Sequence, residues 1–312
     1  MNRTYLEAED EGRVVASQGG FFDVQTPAGI FRCRLRGRFK QGKAKTDLCV
    51  VGDWVRIQRS IGGNSSSTHS TIEEVTPRKT RLSRRRPGKG GKWREDILVA
   101  NIDRIFVVFC FGDPAFHPRM LDRFLVIAEH QKLQTIIVMN KGDLADEATR
   151  ELFSPHKNAG YQVLETSVST GQGMNSFFEA TSTGISGLAG PSGVGKSSLI
   201  NMLSPDLQRE TNSVSDSHGK GKHTTRSAAL LPLPSGGLII DTPGIRELGI
   251  FNIERAHLAE YFVEFRPFLG QCGFGDCAHL DEPYCALKQA VDAGTIAKSR
   301  FDSYQRMMRE DG

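Results

Sequence analysis

Apolar and polar residues alternate through the first quarter of the chain. Gly12–Ser17, Phe21–Gln25, Ile30–Arg36, Val50–Gln58 and Ser70–Val75 follow this pattern, with Gly and Pro between them. A period of two predicts short strands with one face turned inward. Runs this short and this close together predict a small β-barrel over residues 1–76. An OB-fold, a common binder of oligonucleotides, leads; an SH3-like or other small barrel with a structural role is the alternative. Arg32, Arg34 and Arg36 fall on the outward face.

The pattern changes from residue 97. Ile105–Phe111 and Thr135–Met139 are continuous apolar runs, as expected of strands buried on both faces. Helical spacing of Leu121, Phe124, Leu125 and Ala128 predicts a helix over 117–131. Another is expected near 145–157, before a strand at 161–166. Gly187-Leu-Ala leads into a glycine-rich loop and a helix from 195 to about 203. Ala228–Leu233 and Leu238–Ile240 form an expected hairpin. Alternating strands and helices predict an α/β domain over 97–250, with ligands at the strand C-termini. Residues 251–312 read as helical around a Cys/His-rich loop.

Three short motifs carry the chemistry. Gly190-x-x-x-x-Gly195-Lys196-Ser197 sits between a strand and a helix, the context a phosphate loop requires. Backbone N–H groups from Gly190, Ser192, Gly193, Val194 and Gly195 through Ser198 would wrap phosphates, and the helix N-terminus favours anions. Lys196 would reach the β- and γ-phosphates, and Ser197 would bind Mg²⁺. Asn140-Lys141-Gly142-Asp143 follows a buried strand and selects guanine. Asp143 accepts from N1–H and N2–H₂, which adenine does not offer, while Asn140 meets the other edge and the Lys141 stem covers the base. Ser167, after the next strand, matches the position of a further base-contacting backbone segment. Asp241-Thr-Pro-Gly244 supplies a water-mediated Mg²⁺ ligand and a γ-phosphate-sensing amide. Ile245 stands where many GTPases carry a water-orienting Gln. The segment Gly219–Arg226 is an expected switch loop. Thr224 or Thr225 would close on the metal, and His223 is the candidate to position water, with an RNA-facing or solvent-facing role as the alternative.

Cys272, Cys277, His279 and Cys285 offer three thiolates and one imidazole, a closed tetrahedral set for structural zinc. Cys33, Cys49 and Cys110 read as small buried hydrophobes. The net charge is only +4, but Arg78–Arg94 holds cations with no acid among them. Residues 77–96 are therefore expected to be a mobile basic linker, solvated or touching nucleic acid. Basic residues from Arg32 to Lys45 add to the nucleic-acid reading. A serine-rich loop at 60–70 has no inferred role. No apolar run is long enough to span a membrane and the first residues lack an apolar segment, so a cytoplasmic protein is expected.

The base-reading motif precedes the phosphate loop and the DTPG motif, the reverse of the order in ordinary GTPases. With GKGKHTT and the Cys/His cluster, the chain resembles the circularly permuted GTPases of the ribosome small-subunit-dependent GTPase A family over nearly its full length. The resemblance implies an N-terminal OB-fold, a permuted GTPase domain and a C-terminal zinc domain. It also implies GTP hydrolysis stimulated by the 30S subunit during its late maturation, contact with 16S rRNA, and a monomer cycling between GTP and GDP. Rival readings are a nucleic-acid-binding sensor of GTP and a P-loop kinase or ATPase.

Overall fold

A computed structural model describes residues 9–37, 48–59, 69–87, 93–204, 228–241 and 253–310. It divides into two compact units. One comprises Met1–Asp103, Ala180–Gly187 and Asn201–Ile245. The other comprises Arg104–Glu179, Leu188–Ile200 and Arg246–Gly312.

The first unit holds the barrel: β1 (Glu9–Gln18), β2 (Phe21–Thr26), β3 (Gly29–Leu35), β4 (Trp54–Gln58) and β5 (Ser70–Val75). β1 pairs with β2, β2 with β3, β4 with β5 and β1 with β4, all antiparallel, whereas β3 and β5 run parallel. The circuit closes in the order 1-2-3-5-4-1, the connectivity of an OB-fold. Alternation behaves as expected, with Val14, Val24, Cys33, Val55, Ile57 and Ile72 buried inside. Closure is tight at Gly12, where a Cβ would stand 2.6 Å from the Gln25 carbonyl oxygen. A bulge between Val14 and Ala16 redirects β1. Beyond it, Ala16 and Ser17 leave the barrel circuit's β4 edge and pair with Ala229 and Ala228.

Within the basic segment, residues 81–87 and 93–96 lie in strands, which amends the expectation of a mobile linker. β6 (Arg81–Pro87) and β7 (Trp93–Ala100) form an antiparallel hairpin. Glu95 and Asp96, just beyond the run of cations, lie in register with Arg85 and Arg84. Arg81 bonds Glu95 at 2.8 Å. Arg78 grips the fully buried Asp53 with Nε and Nη2 at 2.7 and 2.8 Å, a structural bidentate pair. β12 (Ala228–Pro232) and β13 (Leu238–Asp241) form the expected hairpin, and β13 runs parallel to the start of β11 (Ile185–Ala189).

The second unit is built on three parallel strands, β8 (Arg104–Cys110), β9 (Gln134–Asn140) and β10 (Gln162–Glu165). Continuous burial of Ile105–Cys110 explains the unbroken apolar run. α1 (Pro118–His130) and α2 (Glu147–Asn158) connect the strands, and α2 starts at an Asp146 cap that accepts from the Thr149 amide. α3 (Met174–Thr181) starts in this unit, and α4 (Lys196–Leu203) opens at the phosphate loop. The C-terminal part consists of 3₁₀ turns, then α5 (Ala286–Asp292) and α6 (Lys298–Arg309). Its Phe262, Phe265, Phe301 and Tyr304 share one core with Val126 of α1.

Ionic contacts reinforce that core. Asp122 of α1 takes a 2.7 Å bond from His156 Nε2 of α2 and pairs with Arg300 of α6. Arg300 also bonds Glu264 through Nε at 2.6 Å. Asp122, His156 and Arg300 are each 1% exposed. Burial acts to raise the Asp122 pKa, but the His156 hydrogen bond and the Arg300 charge overcome it and hold the carboxyl below its ordinary value.

Candidate functional site

β8, β9 and β10 end on one edge, and the loops leaving β9 and β10 carry the base-recognition residues. Asn140 closes β9 and is 2% exposed. Its Nδ2 donates to the Val194 carbonyl at 3.0 Å, and its Oδ1 accepts from the Thr166 hydroxyl at 3.2 Å. Asn140 thus ties the β9 loop to the phosphate loop and to the β10 loop, a clamp the sequence did not reveal. Lys141 takes left-handed backbone geometry and its ammonium donates to the Asp113 carbonyl. The Gly142 amide donates to the Thr166 carbonyl at 2.8 Å, leaving Asp143 in a 3₁₀ turn.

Ser167 is fully buried, and its hydroxyl donates to Asp143 Oδ1. That bond holds the Asp143 carboxyl below the usual carboxylate range, so it is an anion at neutral pH. Sequence reasoning assigned Ser167 through its backbone; the hydroxyl is the group that aligns Asp143.

The phosphate loop has backbone that only glycine adopts readily. Gly190, Gly193 and Gly195 have φ of +140°, +83° and +94°. A Cβ on Gly190 would lie 2.1 Å from the Val108 carbonyl oxygen, and one on Gly195 2.3 Å from Asn140 Nδ2. The Lys196 ammonium is buried and donates to the carbonyls of Gly190, at 2.7 Å, and Pro191. Ser192, Ser197 and Ser198 are exposed, and Val194 is buried beneath the loop. A concave ring of amides with one lysine and a serine at a helix start suits a polyphosphate and its Mg²⁺.

Asn140, Lys141, Asp143, Ser167 and residues 190–198 therefore fall within one compact unit. Asp241 ends β13, with only its backbone described. His223, Thr224, Thr225, Gly244 and Ile245 lie outside the described residues, as do Arg38 to Lys45 and most of the serine-rich loop.

The Cys/His cluster forms as expected. Ligand atoms of Cys272, Cys277, His279 and Cys285 all lie within 4.8 Å of one another. His279 Nδ1 is 3.4 Å from the sulfurs of both Cys272 and Cys285. These distances approach the ligand–ligand edge of a tetrahedral Cys/His metal site, about 3.5–3.8 Å from the usual bond lengths. Burial lowers the His279 pKa and raises that of Cys277. The packing thus favours a neutral imidazole and opposes a bare thiolate at Cys277, which a bound cation would offset. The Ala286 amide points to Cys272 Sγ at 3.3 Å. Glu282, absent from the sequence reading, accepts from the amides of Ala278 and Leu280 at 2.9 and 2.8 Å and so braces His279 from both sides.

The barrel exposes aromatic rings capped by cations. Arg34 and Arg32 lie 4.1 and 4.9 Å over Phe21, and the His69 ring meets its edge at 4.8 Å. Arg13 lies 4.5 Å over Trp54, which is 45% exposed. Rings and guanidinium planes of this kind stack unpaired bases.

Comparison with known proteins agrees with this geometry. Residues 75–251 match the RsgA GTPase family and residues 11–65 the RsgA N-terminal domain. The chain is 46% identical to the small ribosomal subunit biogenesis GTPase RsgA of Gemmatimonas aurantiaca, over 96% of each chain. It is 37% identical to that of Caldanaerobacter subterraneus, over 96% of this chain and 95% of the relative. The crystal structure of YjeQ from Thermotoga maritima superposes with a TM-score of 0.77 at 35% identity, over 96% of this chain and 98% of the other. YloQ, a circularly permuted GTPase, gives 0.74 at 31% identity, over 99% and 96%. The chain therefore belongs to the RsgA GTPase family and is a GTP hydrolase.

Proposed function

We propose that this protein binds the small ribosomal subunit late in its maturation and hydrolyses GTP there, with the subunit stimulating turnover. The observation that carries this reading is the 46% identity, over 96% of both chains, to a small ribosomal subunit biogenesis GTPase, supported by the loop contacts of Asn140, Asp143 and Lys196. Asp143 reads the N1 and N2 donors of guanine, the Lys141 stem covers the base, and Asn140 locks the two loops together. Lys196 exchanges its carbonyl partners for β- and γ-phosphate oxygens. The amides of residues 190–198 cradle the phosphates. Mg²⁺, held by Ser197 and through water by Asp241, would neutralise charge on the phosphate oxygens.

Ile245 has no hydrogen-bonding side chain, so orientation of the attacking water falls to His223, with Thr224 or Thr225 closing on the metal and the Gly244 amide sensing the γ-phosphate. The Cys₃His set and its packing suit structural zinc. The barrel stacks unpaired bases of 16S rRNA on Phe21 and Trp54. The protein acts as a cytoplasmic monomer. Among the described residues no helix is long and apolar enough to cross a membrane.

One assay tests the reading: hydrolysis of GTP and ATP, each with and without purified small subunits. GTP-selective turnover that rises with subunits is expected. Equal use of ATP, or indifference to subunits, overturns it.

A further inference from the structure

Two cavities open side by side on the second unit and share Arg119. One, of about 700 Å³, is lined by His117, Arg119, Met120, Arg123 and the phosphate-loop residues Pro191 and Ser192. The other, of about 480 Å³, is lined by Arg119, Arg306, Arg309, Asp302 and Glu310. The cations come from α1 and α6, far apart in sequence. The buried Asp122–Arg300 pair and the shared aromatic core bring those helices together.

The acids on this surface are already committed. Glu310 bonds Arg123 at 2.8 Å, and Asp302 bonds Lys298 at 3.1 Å. Arg119 and Arg306 are exposed and form no ion pair among the described residues. Exposed arginines without counter-charge, lining a concave strip, present forks that fit phosphate oxygens. The two cavities adjoin at Arg119, so the cations border concave surface on α1 and α6, which suits a sugar–phosphate chain. Pro191 and Ser192 form one wall of the same cavity, so an occupant would press on the loop that holds the nucleotide's phosphates.

We propose that the groove lined by Arg119, Arg123, Arg306 and Arg309 seats an RNA backbone beside the phosphate loop, and that this contact couples RNA engagement to GTP hydrolysis. The inference rests on the small-subunit reading above and adds a second RNA surface, separate from the barrel.

The test uses the full chain and an Arg119→Gln/Arg306→Gln double variant, both exposed changes outside the nucleotide contacts. Affinity for purified small subunits is measured across a range of KCl. The slope of log affinity against log salt is expected to become shallower by about two, roughly one per lost phosphate contact. Affinity at about 0.1 M salt falls roughly tenfold or more, subunit-stimulated hydrolysis at limiting subunit falls with it, and subunit-free hydrolysis stays within about twofold. A photoreactive residue at Met120 is expected to cross-link rRNA. An unchanged salt slope, or cross-links to ribosomal protein alone, overturns the groove while leaving the small-subunit reading intact. A wild-type chain that neither binds nor responds to subunits overturns both.

Discussion

The Ser167 hydroxyl donates its proton to Oδ1 of Asp143, joining the loop after β10 to the loop after β9. The bond holds the carboxyl below the usual carboxylate range and fixes its direction before any nucleotide arrives. Asp143 is exposed, so water replaces part of what losing this hydrogen bond removes. Ser167→Ala is expected to weaken GTP and GDP binding about tenfold, with the rate at saturating GTP unchanged. Titration with a fluorescent guanine nucleotide and a saturation curve check this. Equal affinities in variant and wild type remove the aligning role.

The charge on Asp143 sets the base it accepts. Asparagine at this position presents a donor as well as an acceptor. Xanthine carries a carbonyl where guanine carries its N2 amine. Asp143→Asn is therefore expected to lose GTP binding by roughly 10⁴-fold, the range for leaving required polar partners unmatched. It should gain affinity for xanthosine triphosphate. Competition between the two triphosphates on both proteins is the measurement, and retained GTP preference in the variant counts against direct base reading by Asp143.

Much of this arrangement is legible in the sequence, and the parts that are not have physical reasons. Period-two alternation placed Arg32, Arg34 and Arg36 on the outer face of a barrel, where they lie, but alternation carries no information on strand order. The parallel β3–β5 join is what separates an OB-fold from its alternatives. Motif spacing located Asn140, Asp143 and Lys196, because each needs a fixed offset from a strand end. It did not disclose the Asn140 clamp on Val194 or the Ser167 hydroxyl on Asp143, which are contacts across loops. The basic run misled because its counter-charges lie outside it: Glu95, on the partner strand of the hairpin, pairs with Arg81, and Asp53 lies well upstream of Arg78. Arg119 and Arg306 gave no signal, since nothing in their spacing shows that α1 and α6 share a face.

Glu282 braces the Cys/His cluster without reaching it. Its carboxylate accepts from the amides on either side of His279, a residue whose φ of +59° is costly for a non-glycine. Removing the brace frees the loop to relax and turns the imidazole away from the sulfurs. Glu282→Ala is expected to weaken metal affinity by about 10–100-fold, the usual cost of losing a group that orients a ligand. Competition with a chromophoric chelator measures it, and Glu282→Gln, which keeps one acceptor, should recover part of the loss. Affinity unchanged in both variants would show that the loop holds His279 unaided.

The Asp122–Arg300 pair makes the C-terminal helix part of the same body as α1 and α2. Removing one member of a buried pair leaves the other without its counter-charge, which costs about 3–5 kcal/mol. Asp122→Asn is accordingly expected to lower the urea midpoint strongly at neutral pH, and Arg300→Met to do the same by stranding Asp122 and Glu264. The pH dependence has a defined sign. Folding depresses the Asp122 pKa, so its stabilisation is complete above the unfolded value of about 3.9 and is lost as pH falls through the lower folded value. The stability gap between wild type and Asp122→Asn should therefore narrow below about pH 4. Urea titrations at several pH values, followed by Tyr and Trp fluorescence, measure that gap directly. A gap that widens in acid would mean that Asp122 is folded in its protonated form.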